Sequence, residues 1–225
     1  KRIQEATLPG TNLVKSYLED SFVLFKPKDI VSGDFYWVHK VGDKILFAAV
    51  DCTGHGVPGA LLSLIGHNGL NQIVNELKVY TPSKILDELN KLVYRTLQNN
   101  LEATDIKDGM DMALCALDLK TNVLEFSGAY NPLYIVRGDE IQVIKGDKLA
   151  IGSKDNFQVP YTNNSVQLEE GDCLYIFSDG YADQFGGPKG KKFKYSRFKE
   201  LLVKIQSQDM LNQKQYLDDT IEEWR

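Results

Sequence analysis

The chain is poor in the residues that mark several large protein classes. Three cysteines, three histidines, three methionines and two tryptophans stand among 225 residues. Cys52, Cys115 and Cys173 are odd in number and make no Cys-x-x-Cys, which argues against a disulfide framework and a cysteine-built zinc site. Cys115 and Cys173 lie inside apolar runs, where a free thiol packs as a small hydrophobe. A basic excess is also missing. Twenty-six Lys and Arg against 31 Asp and Glu give a net charge of −5, the wrong sign for a protein that coats phosphates, so nucleic acid is not expected as a partner. No apolar run approaches the roughly 18 residues of a membrane span and no signal peptide opens the chain, so the expectation is a cytoplasmic segment without membrane contact. Repeats and low-complexity linkers are absent. What remains is ordinary globular composition, 43% hydrophobic and 25% charged.

The apolar pattern alternates between two periods. Strands are expected at Phe22–Phe25, 35–39, 45–50, 112–117, 123–126, 133–136, 141–144, 166–168 and 173–177, with turn residues such as Gly138-Asp139 and Gly171-Asp172 between them. Val57, Ala60, Leu61, Leu64, Ile65, Ile73, Val74 and Leu77 recur at helical spacing, with an interruption expected near Gly66 to Gly69. Thr81-Pro82 opens a second helix, and two more close the chain near 197–205 and 211–224. Runs 45–50, 112–117 and 173–177 are apolar on both alternating faces, so each must be covered from both sides. The economical architecture is α+β: two packed antiparallel sheets flanked by helices, in one domain.

Asp34, Asp51, Asp111 and Asp179 stand at ends of the apolar strands. Aspartates there are common turn formers. For the first two, however, a turn at Gly42-Asp43 pairs residues whose numbers sum to 85, which sets Asp34 opposite Asp51. Like charges so placed destabilise a sheet. A shared proton, a lysine or a bound divalent cation would relieve them, and an all-oxygen set selects Mg²⁺, Mn²⁺ or Ca²⁺. If their strands neighbour this hairpin, Asp111 and Asp179 join the same cluster.

Gly54-His55-Gly56-Val57-Pro58-Gly59 follows a strand and opens a helix, matching G-x-G-x-x-G. A dinucleotide fold would next require a parallel strand and an acid about 20 residues on; here a second helix follows, so that reading is set third. Gly54 and Gly56 before a helix N-terminus still offer N–H groups to a phosphate, although a tight turn with close helix packing explains the same glycines.

Taken together, Val31-Ser32-Gly33-Asp34-Phe35-Tyr36, residues 51–60, Asp108-Gly109-Met110-Asp111-Met112-Ala113, Asn131-Pro132-Leu133 and Phe177-Ser178-Asp179-Gly180 resemble the PPM-type metal-dependent serine/threonine phosphatases, in their bacterial SpoIIE-like branch. The resemblance implies an αββα sandwich holding two Mn²⁺ or Mg²⁺ ions and hydrolysing phosphoserine or phosphothreonine on a protein. It implies metal roles for Asp34, Asp51 and Asp179, a backbone carbonyl ligand at Cys52, and Asp111 at the middle position with Asp108 its rival. His55 is the candidate leaving-group acid, standing further behind its aspartate than in eukaryotic members. Residues 1–10 would be the end of a linker helix from an upstream domain, with a homodimer through that helix, and 11–225 the phosphatase domain without its closing strand. Implied substrates are phosphorylated regulatory proteins such as anti-sigma-factor antagonists. The alternative is a catalytically weak module of this fold that signals by binding a partner. Lys189 to Lys199 carries six basic residues and no acid, suited to an acidic phosphoprotein or to a solvated flap.

Overall fold

Gly42 turns the chain at a φ of 57°, and β1 (Phe35–Val41) returns as β2 (Lys44–Cys52). Their register runs from Val41↔Lys44 to Phe35↔Val50, the spacing expected from the turn. This computed structural model describes residues 2–98, 108–153 and 159–225; Lys1 lies outside them. β3 (Met110–Asp118), β4 (Val123–Ala129) and β7 (Asn164–Gln167) complete a five-stranded antiparallel sheet in the order β1-β2-β3-β4-β7. β5 (Leu133–Arg137), β6 (Glu140–Ile144) and β8 (Cys173–Tyr175) form a second antiparallel sheet in the order β6-β5-β8.

Period-2 alternation sorts the side chains into three apolar layers. Leu46, Ala48 and Val50 of β2 and Met112, Leu114 and Ala116 of β3 face α3 (Gly56–Asn75) and α4 (Pro82–Gln98), meeting Leu70, Ile73, Ile85 and Leu89. The intervening residues Ala113 and Cys115, with Phe126, Leu133 and Ile135, fill the space between the sheets. Tyr134, Val136, Cys173 and Tyr175 face outward onto α6 (Tyr195–Ile205) and α7 (Met210–Trp224) through Phe198, Leu202, Ile205 and Leu217. The layers are therefore helix, sheet, sheet, helix. All three cysteines are buried and free.

Helix starts follow local chemistry. Pro82 sits where its missing N–H is harmless, and the Thr81 carbonyl accepts the first helical bond, from Ile85 N–H at 3.0 Å. Asp209 caps α7 by accepting from Asn212 N–H at 2.8 Å.

Three expectations fail. The long helix α3 runs unbroken through Gly66 and Gly69. Those glycines answer crowding: a Cβ on Gly66 would lie 2.7 Å from Met110 Sδ, and one on Gly69 2.7 Å from Leu89 Cδ1. Leu77, read at the helical spacing, lies past the helix end, and Val57 and Leu61, which keep that spacing, are 66% and 58% exposed. Phe22–Phe25 forms no strand. Its side chains do the anchoring instead: Phe22 and Leu24 pack on the α6/α7 layer, Phe25 meets Tyr36 edge-on at 5.7 Å, and Lys26 pairs with Asp218 and Glu222 of α7.

The remaining short elements are α1 (Arg2–Thr7), α2 (Thr11–Tyr17), α5 (Gly180–Asp183) and the hairpin strands β9 (Phe185–Gly186) and β10 (Lys191–Lys192). Among the described residues no helix is long and apolar enough to cross a membrane.

Candidate active site

Three adjacent strands, β1, β2 and β3, carry a row of acids at one end. Asp51 and Asp111 are direct partners in the β2–β3 ladder. One step beyond Phe35↔Val50, Asp34 stands opposite Asp51 on the other side. The second sheet supplies Asp179, in the turn between β8 and α5, where its side chain makes no helix-capping bond. Ser178 Oγ donates to Asp34 Oδ2 at 2.7 Å, tying that turn to the first sheet. Ser178 belongs to a motif visible in the sequence, but its task is not, because its partner is 144 residues away.

The electrostatics are those of acids crowded together in a poorly solvated place. Burial, then the charges of Asp34 and Asp179, push Asp51 up to about 8. A hydrogen bond with the Asp34 carboxyl also raises it, while the backbone of Asp179 hydrogen-bonds to it and pulls the other way. Burial and the charge of Asp179 push Asp111 up to about 6. Asp179 is itself raised, by burial and by the charges of Asp183 and Asp34, with Lys192 opposing. Among the described residues no three acids, histidines or cysteines already form a cage. The donor set nevertheless fits a hard divalent ion: all ligating atoms are oxygens, and a dication would offset the burial and the mutual repulsion that raise the carboxyls.

The remaining site candidates divide. Cys52 buries its thiol in the helix-facing core, and its carbonyl oxygen lies 3.0 Å from where a Cβ on Gly33 would sit. Asp108 is exposed and held by Thr53, whose Oγ1 donates to Asp108 Oδ1 at 3.1 Å and accepts from Gly109 N–H at 3.0 Å; Asp111 is the acid beside Asp51. His55 takes the N-cap position of α3 without capping. Its ring is 75% exposed, with Nδ1 3.1 Å from Asp29 Oδ2.

Gly54 and Gly56 hold left-handed φ values of 84° and 68°, which the loop requires of glycine. Gly59 serves differently. A Cβ there would lie 2.5 Å from Gly54 O and 3.0 Å from Gly33 Cα, so Gly33, Gly54 and Gly59 meet backbone to backbone. The antiparallel hairpin leading into α3 excludes the β-α-β unit of a dinucleotide fold.

The basic segment after α5 folds over the Asp179 side of the site. Lys192 Nζ reaches Asp183 Oδ2 at 2.5 Å, Arg197 lies 4.4 Å over the Trp224 ring and Lys199 5.2 Å over Tyr134. Lys189, Lys191 and Lys194 stay exposed. Burial and the charges of Asp179, Asp183 and Asp51 push the Tyr195 phenol up to about 12, which marks it as a neighbour of the acids. No spacing signal in the sequence pointed to it.

Residues 42–224 match the family described as Stage II sporulation protein E (SpoIIE). The chain belongs to the SpoIIE family. Among solved structures of similar proteins, the SiaA-PP2C domain of Pseudomonas aeruginosa is 34% identical with a TM-score of 0.87, covering 99% of this chain and 86% of that one. Of curated relatives, the phosphoserine phosphatase RsbU of Bacillus subtilis (strain 168) is 24% identical over 181 residues, which is 80% of this chain and 51% of RsbU. Stage II sporulation protein E of the same organism is 31% identical over 165 residues, 71% of this chain and 18% of that protein. This SpoIIE-family chain thus spans about half of one relative and about a fifth of the other. The αββα layering is the PP2C-type fold of these neighbours.

Proposed function

We propose that the chain is a metal-dependent protein phosphatase that hydrolyses phosphoserine or phosphothreonine on a regulatory protein. One observation carries the reading: Asp34, Asp51, Asp111 and Asp179, from two sheets and four separate segments, meet at one edge where they repel one another. No stability argument retains such a group, and the alternative of a binding-only module gives it no task.

Asp34, Asp51, Asp111 and Asp179, with the Cys52 carbonyl, would hold two Mn²⁺ or Mg²⁺ ions. When bound, such ions supply positive charge against the phosphoryl oxygens and ease attack by water. The chain's own groups do the rest. Ser178 orients the Asp34 carboxylate by its hydroxyl bond. The loop at Gly54 and Gly56 brings backbone N–H groups of the α3 N-terminus toward a phosphate, where the helix dipole favours negative charge. His55, hydrogen-bonded to Asp29, would give a proton to the departing serine or threonine oxygen.

The protein substrate belongs to the same reading. RsbU is named a phosphoserine phosphatase, and the exposed Lys189, Lys191 and Lys194 suit an acidic phosphoprotein such as an anti-sigma-factor antagonist. On this reading α1 would be the end of a linker helix from an upstream domain, able to pair with a second copy, and the protein would work in the cytoplasm.

The test is phosphate release from a phosphoserine peptide with Mn²⁺, with Mg²⁺ and after chelation. Release that needs the ion and stops on chelation is expected. Mn²⁺-independent release, or none at millimolar Mn²⁺ from either the peptide or an aryl phosphate, would sink the reading.

A further inference from the structure

A small helix far from the carboxylates in sequence is fastened to the loop that carries one of them. None of the residues of α1 is buried, yet its Gln4 side chain reaches two other segments. Gln4 Oε1 accepts from Ser32 N–H at 3.0 Å, and Nε2 donates to the Ser32 carbonyl at 2.5 Å. One amide thus satisfies both backbone groups of one residue, as a neighbouring strand would. Nε2 also lies 3.1 Å from Ser63 Oγ, and Ser63 is buried on α3, its hydroxyl donating to the Ala60 carbonyl at 2.8 Å. Gln4 therefore joins α1, the Ser32 loop and α3 at one point.

Ser32 in turn lies two residues before a carboxylate of the site. Its Oγ accepts from Asp34 N–H at 3.0 Å. Between them Gly33 is pressed on the backbones of Gly54 and Cys52, where a Cβ would lie 2.8 and 3.0 Å from their carbonyl oxygens. Beyond Asp34, β1 begins with its ladder to β2. Asp34 is thus held by the sheet on its C-terminal side and by Ser32 on the other, and nothing but Gln4 gives the Ser32 backbone its hydrogen bonds among the described residues. The C-terminal end of α1 is anchored separately, by His67 bonded to the Thr7 backbone and by Leu8, just past the helix, against the helix-facing core.

We infer that Gln4 is a positioning residue for Asp34: its amide sets the Ser32 backbone, and through it the carboxylate that is to bind a divalent cation. The inference rests on the phosphatase reading. It places its effect on cation affinity, not on the chemical step, because Gln4 touches neither the carboxylates nor the phosphate loop. Support shells of this kind change metal affinity by about 10- to 100-fold.

Two substitutions separate hydrogen bonding from packing. Gln4→Met keeps the length and apolar stem of the side chain and loses the amide; Gln4→Ala loses both. Both are expected to raise the Mn²⁺ concentration for half-maximal phosphate release by about tenfold while leaving the rate at saturating Mn²⁺ within about twofold. Both should also reduce the rise in melting temperature that Mn²⁺ produces without substrate, and speed amide hydrogen exchange at Ser32, Gly33 and Asp34. A wild-type Mn²⁺ midpoint in both variants, with unchanged exchange at those amides, would overturn the assignment, as would a loss confined to Gln4→Ala, which would make the contact one of packing. A wild-type chain that neither melts higher with Mn²⁺ nor releases phosphate would overturn the phosphatase reading instead, and the exchange rates then decide the Gln4 clamp alone.

Discussion

The two ends of the large sheet carry similar numbers of acids and treat them in opposite ways. At the β1–β2 turn, Asp43 pairs with Lys120 at 2.6 Å, Glu125 with Lys44 at 2.8 Å, and Asp118 accepts backbone bonds from Lys120 and Thr121 at 2.9 and 3.0 Å. Those backbone bonds hold Asp118 below the usual carboxylate range. At the far end, Asp51 and Asp111 face each other across the same strands and are raised by burial and by the other acids. The turn end shows what a sheet does with charge when stability alone is at stake. Measured against it, the other end keeps its acids at a cost in stability, which is what the proposed cation site would explain.

Asp51→Asn should break this contrast most severely. It takes a ligand from the centre of the row, and phosphate release should fall by about a hundredfold or more at any Mn²⁺ concentration. Above about pH 8, where Asp51 is ionised, the apo fold should at the same time melt no lower than wild type, because a repelling charge has gone. Activity assays beside apo melting curves read both halves, and retained turnover would remove Asp51 from the site.

The contrast also fixes a sign for pH. Asp51 and Asp111 bind protons more tightly folded than unfolded, so their contribution to stability is complete below about pH 4 and is lost as pH rises toward about 6 and then about 8. Apo melting temperature should decline through that window, flatten in Asp51→Asn, and recover at the upper end when Mn²⁺ is added. A wild-type apo curve that rises over the same range would contradict the burial-driven shifts.

Smaller effects are expected among the cations. Lys192 is engaged with Asp183, whereas Lys189, Lys191 and Lys194 are exposed. Replacing these three by serine should lower kcat/KM on an acidic phosphoprotein by roughly fivefold at low salt, less at high salt, and leave a small aryl phosphate untouched. Equal losses on both substrates would place them at the reacting phosphate. Smallest of all is Lys120→Ala at the turn end. Its exposed pair with Asp43 is screened, so neither melting temperature nor phosphate release should change measurably; a drop in activity would show that the two ends communicate.

Local chemistry was legible in the chain itself. The Gly42 turn implied the β1–β2 register, and with it the facing pair Asp34 and Asp51, because a two-residue turn leaves no freedom in the count. Capping and proline signals marked α4, and two-sided apolar runs identified the buried strands. Reading failed where tertiary contact overrides local pattern. Phe22–Phe25 alternates like a strand and is held by side chains. Gly66 and Gly69 look like helix breaks and are contact points for Met110 and Leu89. Val57 and Leu61 fit the helical period but are exposed, while Ala60 and Leu62 beside them are buried. The site's supporting groups were out of reach for a similar reason: Ser178 and Gln4 find their partners 144 and 28 positions away, with no periodicity to betray them.

The meeting of Gly33, Gly54 and Gly59 bears on how this site tolerates change. The gap between the Asp34 loop and the start of α3 is set by peptide groups in contact, with no rotamer in between. Side-chain motion on heating, or repacking of the core behind it, has nothing there to loosen. The same arrangement leaves no room for adjustment by single steps. A methyl at Gly33 or Gly59 must push whole backbones apart, widening the distance between carboxylates and glycine loop at once. Tuning of this active site is therefore open to its rim, its flap and its helical support, while the spacing at its centre is closed to it.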